Sequence, residues 1–289
     1  MPTRSHLLTP VVARSSMFVP GDRGDLLAKA AKFEADALVA DLEDAVASGD
    51  KDAALSTVEQ WLTSLAHEEP SCRNAWVRIN VGPRGCYETE RLSRLPALVG
   101  VFVPKVESSD ALAEVSRASL REDLWLAPMI ESATGLVRLH EIAQSSGVFQ
   151  LHMGELDLAT DLGLSPGPED AELAHARAQV VVASRHAGLV APAGPVNPRF
   201  DDPATYRAST QALARMGFMG RDCIHPNQVG IANEVFSVDP SEVAWAHALL
   251  EEAQHHGGAY RDADGSMVDE AVLRLARSIL ARPGSQPRH

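Results

Sequence analysis

The chain has 289 residues, of which 45% are hydrophobic and 22% are charged, as in a globular protein with a substantial core. Its net charge of −13 argues against nucleic acid as a partner, and no apolar run reaches the roughly 20 residues that a membrane span needs. Cys72, Cys86 and Cys223 lack the spacing of metal ligands, and no signal peptide is evident, so we expect a cytoplasmic protein with reduced thiols.

Short apolar runs alternate with amphipathic stretches through most of the chain. The predicted strands are 16–20, 37–43, 75–80, 100–106, 124–131, 148–157, 188–194 and 217–226. The helical patterns between them lie at 23–34, 50–65, 87–93, 109–119, 134–145, 169–187 and 203–215. Most of the strands are apolar almost throughout, as in parallel strands that are covered on both faces. Eight strands that alternate with helices predict a TIM (β/α)8 barrel over residues 1–236. A doubly wound open sheet is the alternative, although no Gly-x-Gly-x-x-Gly motif follows a strand.

The pattern changes after the last predicted strand. Residues 227–236 and 240–256 are predicted helices, and a final helix is expected at 269–281 after a polar, glycine-rich loop. This part of the sequence predicts no strands. We therefore expect a C-terminal helical arm over residues 237–289.

Polar residues stand at the C-terminal ends of five consecutive predicted strands. They are Glu43 and Asp44, Arg78 and Asn80, Lys105 and Glu107, Glu131, and Glu155 and Asp157. The C-terminal strand ends of a barrel converge on the face that carries the active site. The pattern therefore predicts an active site at this face.

Glu131 and Asp157 follow neighbouring strands and are candidates for a metal site. Two close carboxylates repel each other unless a proton or a cation lies between them. No Cys/His cluster indicates zinc, whereas a site built from oxygen ligands with open positions suits Mg²⁺. A proton-sharing acid/base pair is the alternative interpretation.

Arg78 is a candidate clamp for a substrate carboxylate, since its guanidinium binds such groups bidentately. The alternative is a structural salt bridge to Glu43 or Asp44. Those two acids are expected to hold metal-bound waters or to orient Arg78, and an acidic pair at a helix N-terminus is the alternative. Asp41 is expected to fill the barrel interior, and His152 is interpreted as a hydrogen-bonded core histidine.

Taken together, the motifs resemble those of citrate lyase beta-subunit-like proteins, within the citramalyl-CoA/malyl-CoA lyase and hydroxyacid aldolase superfamily. The matching segments are 14–23, 40–46, 77–80, 103–108, 129–136, 154–163, 223–228 and 265–272. The resemblance implies a TIM barrel with a C-terminal helical extension, and Mg²⁺ bound by Glu131 and Asp157. It also implies that Arg78 grips the carboxylate of the small acid. Asp269 is expected to reach the active site of a neighbouring subunit in a homotrimer or hexamer.

Members of this superfamily act on CoA or acyl-carrier-protein thioesters. We therefore expect a Mg²⁺-dependent carbon–carbon lyase that converts a β-hydroxyacyl-CoA, such as malyl-CoA or citramalyl-CoA, into an acyl-CoA and a 2-oxo acid. Asp269 is the candidate acid/base, although a plain helix N-cap is the alternative for it. Phe18 and Arg23 are expected near the substrate, with Arg23 close to the CoA phosphates. The alternatives are a class II aldolase acting on free 4-hydroxy-2-oxo acids, and the beta subunit of a citrate lyase complex.

One position departs from the family pattern, which usually has Gly-x-Glu-Asp at the sixth strand. Here the order is Gly154, Glu155, Leu156 and Asp157. In a strand, Glu155 and Asp157 would share a side. The sequence therefore predicts Glu155 as an additional carboxylate that points inward.

Overall fold

The structure is a computed structural model, and it describes residues 10–66, 74–256, 258–262, 265–280 and 282. Cys72 lies outside these ranges, whereas Cys86 and Cys223 are free thiols. The chain divides into two compact units, Met1–Val235 and Phe236–His289. The limits that the sequence predicts for the barrel and the arm remain predictions.

A curled parallel sheet forms the centre of the first unit. Its strands are β1 (Ser15–Pro20), β2 (Ala37–Asp41), β3 (Ala75–Arg78), β4 (Leu98–Val103), β5 (Trp125–Ile130), β6 (His152–Met153) and β7 (Arg221–Cys223). Over the described residues, their order is β6-β5-β4-β3-β2-β1-β7, so the sheet is a seven-stranded half-barrel. Strands β2 and β4 are buried along their whole length, as expected for parallel strands covered on both faces. The prediction of an α/β fold with a parallel sheet is confirmed.

Helices follow the strands of the first unit. They are α1 (Gly24–Ala30), α2 (Lys51–Leu65), α3 (Gly82–Leu92), α4 (Ser109–Ala118), α5 (Ala133–Val137), α6 (Leu139–Ala143), α7 (Glu155–Asp161), α8 (Ala174–His186), α9 (Pro203–Met216) and α10 (Pro226–Phe236). Side-chain caps begin several of them: Ser108 for α4, Ser132 for α5 and Asp202 for α9 each accept a hydrogen bond from a first-turn N–H.

A cluster of aromatic and aliphatic side chains forms the core of the sheet. The ring of Phe102 packs edge-on against Phe18 and Trp76, with centroids 5.3 and 5.6 Å apart. Val39 and Met129 belong to the same cluster. This core supports the strand ends, where the polar side chains begin.

The predicted strand at 188–194 is wrong, because the structure assigns no strand there. Its end is an extended segment in which Ala193 donates to the carbonyl of Leu151 and Gly194 donates to that of Gly220, at 3.1 and 2.8 Å. Pro192 and Pro195 have no N–H group, so this segment cannot form a continuous ladder with its neighbours.

The predicted strand at 148–157 is also much too long. Strand β6 holds two residues, and α7 begins at Glu155 directly after Gly154. Residues two positions apart in a helix differ by about 200° in direction. Glu155 and Asp157 therefore do not share a side, contrary to the prediction. The acidic first turn favours a helix here, because carboxylates stabilise its N-terminus.

The second unit contains two helices among its described residues, α11 (Pro240–Ala253) and α12 (Glu270–Leu280). A short antiparallel pair lies between them, formed by β8 (Tyr260–Arg261) and β9 (Met267–Val268), so the expectation that this part has no strands is wrong. The unit has its own core: Val238, Ala246, Leu249, Val268, Ala276 and Ile279. In either unit, none of the helices that could be described has the length and hydropathy to cross a bilayer.

Candidate active site

A pocket of about 180 Å³ brings together most of the predicted site residues. Phe18, Asp44, Arg78, Glu131 and Asp157 all line it. In the same order, they come from the C-terminal part of β1, the loop after β2, the end of β3, the residue after β5 and the first turn of α7. Parallel strands deliver their C-terminal ends to one edge of a sheet, which explains how residues so distant in sequence meet here.

Arg78 is held by a carboxylate that the sequence did not assign to the site. Asp41 accepts hydrogen bonds from Nε and Nη2 of Arg78, at 2.7 and 2.6 Å. Glu43 lies 3.0 Å and Asp44 3.8 Å from Nη1, so the salt bridges expected for these acids are present as well. The Cζ atom of Arg78 also lies 5.5 Å from the centre of the Phe18 ring. Asp41 was expected only to fill the interior, whereas it lines the pocket and orients Arg78.

The guanidinium of Arg78 stays charged and retains capacity for a ligand. Burial alone would lower its pKa, but the neighbouring carboxylates of Asp41, Glu43 and Asp44 outweigh burial and raise it. Within the described part of the chain, the guanidinium donates two hydrogen bonds, both to Asp41, whereas Nη1 contacts Glu43 as an ion pair. Nη1 and Nη2 therefore retain N–H groups that an incoming carboxylate can accept.

Lys105 connects two of the acidic groups. Its Nζ lies 2.7 Å from Oε1 of Glu43, and its backbone N–H donates to Oε2 of Glu131 at 2.8 Å. The backbone of Lys105 is left-handed, with φ of 52°, which costs energy for a residue with a side chain. The sequence predicts Lys105 at the C-terminal end of a strand, but residue spacing carries no information about its two contacts.

Glu131 is the most strongly perturbed acid of the pocket. Its side chain is 4% exposed, and burial, together with the negative charges of Glu43 and Asp157, raises its pKa to about 7. Gly154 leaves room for this carboxylate, because a Cβ atom at that position would collide with the Glu131 side chain. A buried carboxylate beside a second one is stabilised by a cation, so this pair is suited to a divalent metal ion.

Glu155 has a different role from the one predicted. Both of its carboxylate oxygens accept from Arg177, each at 2.6 Å, and Asp170 lies 3.3 Å from the same guanidinium. Glu155 is therefore a buried salt-bridge partner in the first turn of α7, although its side chain also reaches the pocket wall. The matching arginine lies 22 residues further along the chain, so the pairing was not visible in the sequence.

Asp222 is a further carboxylate of the pocket that the sequence did not indicate. It accepts from, or donates to, Nδ1 of His152 at 3.0 Å, and both side chains are buried. The interpretation of His152 as a hydrogen-bonded core histidine is confirmed. The two residues lie on β6 and β7, 70 positions apart.

Three predicted residues are not among those that line this pocket: Glu43, Arg23 and Asp269. Glu43 instead contacts Arg78 and Lys105. Arg23 is exposed and pairs with Asp25 at 2.9 Å. Asp269 belongs to the second unit, where its carboxylate accepts from the N–H groups of Ala271 and Val272 at 2.9 and 3.1 Å. This is the N-cap geometry that the sequence offered as the alternative, and the catalytic role of Asp269 stays a prediction.

The sequence model of the HpcH/HpaI aldolase/citrate lyase family matches residues 14–226. The chain belongs to this family. Aldolases and citrate lyases make and break carbon–carbon bonds, and the matched residues include every acid that lines the pocket.

Individual relatives within and around this family are similar to the chain over almost its whole length. It is 35% identical over 280 residues to the citrate lyase subunit beta-like protein of Deinococcus radiodurans, covering 94% of this chain and 98% of the relative. It is 34% identical over 274 residues to a (3S)-malyl-CoA thioesterase of Cereibacter sphaeroides, with 93% and 94% covered. Protein CitE of Mycobacterium tuberculosis, solved with magnesium, acetoacetate and coenzyme A, is similar in structure, with a TM-score of 0.72, 28% identity, and 93% and 97% covered.

Proposed function

We propose that the chain is a Mg²⁺-dependent carbon–carbon lyase. Its substrate would be a β-hydroxyacyl-CoA thioester such as malyl-CoA or citramalyl-CoA, which it cleaves into, or forms from, an acyl-CoA and a 2-oxo acid. The observation that carries this proposal is the pocket in which the Arg78 guanidinium stands beside the carboxylates of Glu131 and Asp157. The magnesium, acetoacetate and coenzyme A bound to the similar CitE protein support it.

The residues of the pocket fit a magnesium ion. The described residues contain no cluster of three or more acidic, histidine or cysteine side chains that could enclose a metal. Mg²⁺ is commonly bound by one or two carboxylates, with water and substrate oxygens at its other positions, and Glu131 and Asp157 would supply the two carboxylates. When bound, the ion supplies Lewis-acid stabilisation for negative charge on the oxygens of the 2-oxo acid.

Arg78 would bind and orient the substrate carboxylate. Asp41 and Glu43 fix its guanidinium from two sides, so the remaining N–H groups need little reorganisation when the substrate arrives. Lys105 holds Glu43 on this side of the pocket. Asp44, which is more exposed, would complete the acidic surroundings of the arginine.

Bond cleavage also needs a group that accepts the proton of the β-hydroxyl and a proton that returns to the α-carbon of the acyl-CoA. For this role we propose Asp269 of a neighbouring subunit in a homotrimer or hexamer. The loop before α12 would deliver it. Phe18 would contact the substrate beside Arg78, and Arg23 would lie near the CoA phosphates.

We further infer that the half-barrel is closed into a TIM barrel. The extended segment that ends at Gly194 hydrogen-bonds to the chain next to β6 and to the chain next to β7. A segment that bonds to both edges of the sheet supports closure. The C-terminal arm over residues 237–289 would then extend from this barrel.

The test is cleavage of malyl-CoA and citramalyl-CoA by the purified chain, with Mg²⁺ and with EDTA. We expect equal amounts of acyl-CoA and 2-oxo acid in the presence of Mg²⁺, and no products with EDTA. Activity on free 4-hydroxy-2-oxo acids alone would contradict the proposal and favour the aldolase. Release of free CoA together with the intact hydroxy acid would instead indicate hydrolysis, the activity in the name of the Cereibacter relative.

A further inference from the structure

A second cavity, of about 420 Å³, adjoins the pocket that contains Arg78. The two share Glu155, Leu156 and Val196 as wall residues. The remaining wall of the larger cavity is formed by further residues of α7, by the loops on either side of α8, by α9 and by Arg221. The two cavities are therefore adjacent, so that one extended ligand could contact both.

Arg221 is a buried cation without an acidic partner. It is 3% exposed, and no described carboxylate lies within ion-pair distance of it. Its Nε and Nη1 donate to neutral oxygens: the carbonyls of Pro195 and Tyr206 and the hydroxyls of Ser209 and Thr210, at 2.7 to 3.3 Å. Among the residues that the structure describes, Nη2 has no acceptor, although the side chain lines the cavity.

A comparison with Arg177 shows that Arg221 lacks a carboxylate partner among the described residues. Arg177 is also buried, but Glu155 neutralises it bidentately and Asp170 lies close to it. A buried charge without a counter-charge is unfavourable, and burial accordingly lowers the pKa of Arg221. The face of the Tyr206 ring, 4.3 Å from Cζ, offers only partial compensation.

The other charges around the cavity have partners of opposite sign. Glu155 and Asp170 are the acids in its wall, and both are engaged by Arg177. Arg199, the other basic residue of the wall, is exposed and interacts with the carboxylate of Asp202. Arg221 is therefore the charge of this wall that one negative charge from a ligand would balance.

We propose that this second cavity binds an oxyanion carried by the same ligand that occupies the pocket of Arg78, with Arg221 as its charged partner. The identity of that ligand rests on the proposed function, but the binding of an oxyanion does not. Two parts of a thioester substrate have this chemistry: a further carboxylate on the acid, or a phosphate of its CoA carrier. In either case Arg221 would determine specificity and would take no part in bond cleavage.

The sharpest test supplies the missing charge from the protein itself. The hydroxyl of Ser209 lies 2.9 Å from Nη1 of Arg221, so Ser209→Asp places a carboxylate beside the guanidinium. Ser209→Asn, of nearly equal shape but neutral, is the matched control. We expect Ser209→Asp to raise the Tm and to weaken oxyanion binding about 10- to 100-fold, whereas Ser209→Asn changes neither by a comparable amount.

Calorimetric titrations with two pairs of probes distinguish the sources of the oxyanion. Pyruvate and oxaloacetate differ by one carboxylate, and pantetheine and CoA differ by the phosphates. Selective loss of oxaloacetate binding in Ser209→Asp would identify a carboxylate, and selective loss of CoA binding would identify a phosphate. Arg221→Gln should reproduce the same selectivity, with Arg207→Gln on the exposed side of α9 as its control.

Unchanged affinity for all four probes in Ser209→Asp would overturn the inference, and Arg221 would then only join β7 to α9. The same conclusion would follow if pyruvate and pantetheine lost affinity as much as their partners. Because the readout is equilibrium binding, it is independent of catalysis. A chain that binds these probes selectively but cleaves no thioester would disprove the proposed function and leave the oxyanion site standing.

Discussion

At the scale of single residues, the pocket is dominated by the cost of placing like charges close together. Asp41, Glu43 and Asp44 surround one arginine, and Glu131 stands beside Asp157. Arg78 and Lys105 neutralise the first group, whereas the hydrogen bond that Glu131 receives from the described residues comes from the backbone N–H of Lys105. The unbalanced charge is therefore concentrated on the side where we propose that the metal binds.

We predict that Arg78→Lys lowers kcat/KM by about 100-fold while leaving Mg²⁺ affinity nearly unchanged. Lysine keeps the positive charge but cannot hold Asp41 and a substrate carboxylate bidentately at the same time. Steady-state kinetics together with Mg²⁺ titration would measure this split. Arg91→Lys, at a half-buried pair with Glu59 away from the pocket, is the control and should retain the activity of the unmodified protein. Equal activity in both variants would exclude the carboxylate clamp.

Glu131 connects metal binding to pH. An acid whose pKa rises from 4.5 to about 7 on folding binds more protons in the folded state, so stability without metal declines as pH rises through this range. At pH 8 we expect Glu131→Gln to stabilise the metal-free protein by up to about 3 kcal/mol, at about 1.4 kcal/mol per pKa unit. The neutral amide oxygen can still accept from Lys105.

The measurement is thermal unfolding at pH 8 and at pH 5, with and without Mg²⁺. The unmodified protein should gain stability from Mg²⁺ at pH 8 and much less at pH 5, where protons compete for the carboxylate. Glu131→Gln should show no gain at either pH. A Tm increase with Mg²⁺ that survives this substitution would place the metal elsewhere.

At the scale of elements, helix α7 illustrates how far sequence patterns reach. The alternation of apolar runs and amphipathic stretches was sufficient to predict most strands and helices, because burial on both faces marks parallel strands. Two of the predicted strands failed for physical reasons. Residues 148–157 are apolar enough for a strand, but an acidic first turn after Gly154 favours a helix, and prolines interrupt the ladder at 188–194.

The grouping of residues in the candidate site could be predicted from the sequence, but their individual contacts could not. Parallel strands place the C-terminal ends of β3 and β5 at the same edge of the sheet, with β4 between them, so the grouping of Arg78 with Glu131 followed from the fold. The contacts of Asp41, Lys105 and Arg177 depend on side-chain geometry between distant segments, and residue spacing carries no information about them.

The Glu155–Arg177 pair anchors the first turn of α7, and we predict a large effect from breaking it. Glu155→Gln leaves Arg177 buried with a weaker partner and should cost about 3 to 5 kcal/mol of stability. Mg²⁺ affinity should fall as well, because Asp157 stands in the same turn. Urea unfolding and Mg²⁺ titration would measure both effects.

Glu234→Gln is the matched control for that experiment, since Glu234 is the exposed partner of Arg207 and its loss should cost less than about 1 kcal/mol. Replacing both buried partners, as Glu155→Leu with Arg177→Met, should recover most of the stability because no charge is left unpaired. Equal losses in Glu155→Gln and Glu234→Gln would show that the buried pair does not anchor α7.

At the scale of the whole molecule, the chain consists of two units, each with a hydrophobic core. Arg78, which we propose binds the substrate carboxylate, and Asp269, which we propose transfers the proton, lie in different units. If Asp269 acts in a neighbouring subunit, a complete active site needs two chains, and each chain contributes to two sites.

This arrangement predicts complementation between inactive variants. Arg78→Lys and Asp269→Asn should each have little activity alone, whereas an equal mixture that is unfolded and refolded together should regain about a quarter of the full activity through sites with both native residues. Sedimentation analysis would establish the assembly state of each sample. A mixture no more active than its components would contradict the shared site.

The collision that a side chain at Gly154 would cause has a consequence for how this protein can vary. The carboxylate of Glu131 occupies the space where every other amino acid has a Cβ atom. A saturation library should therefore find position 154 as intolerant as position 131, although Gly154 carries no functional group. Substitutions at Leu162, which is exposed and lines neither of the two cavities, should be accepted far more broadly, so tolerance would differ sharply between the two ends of α7.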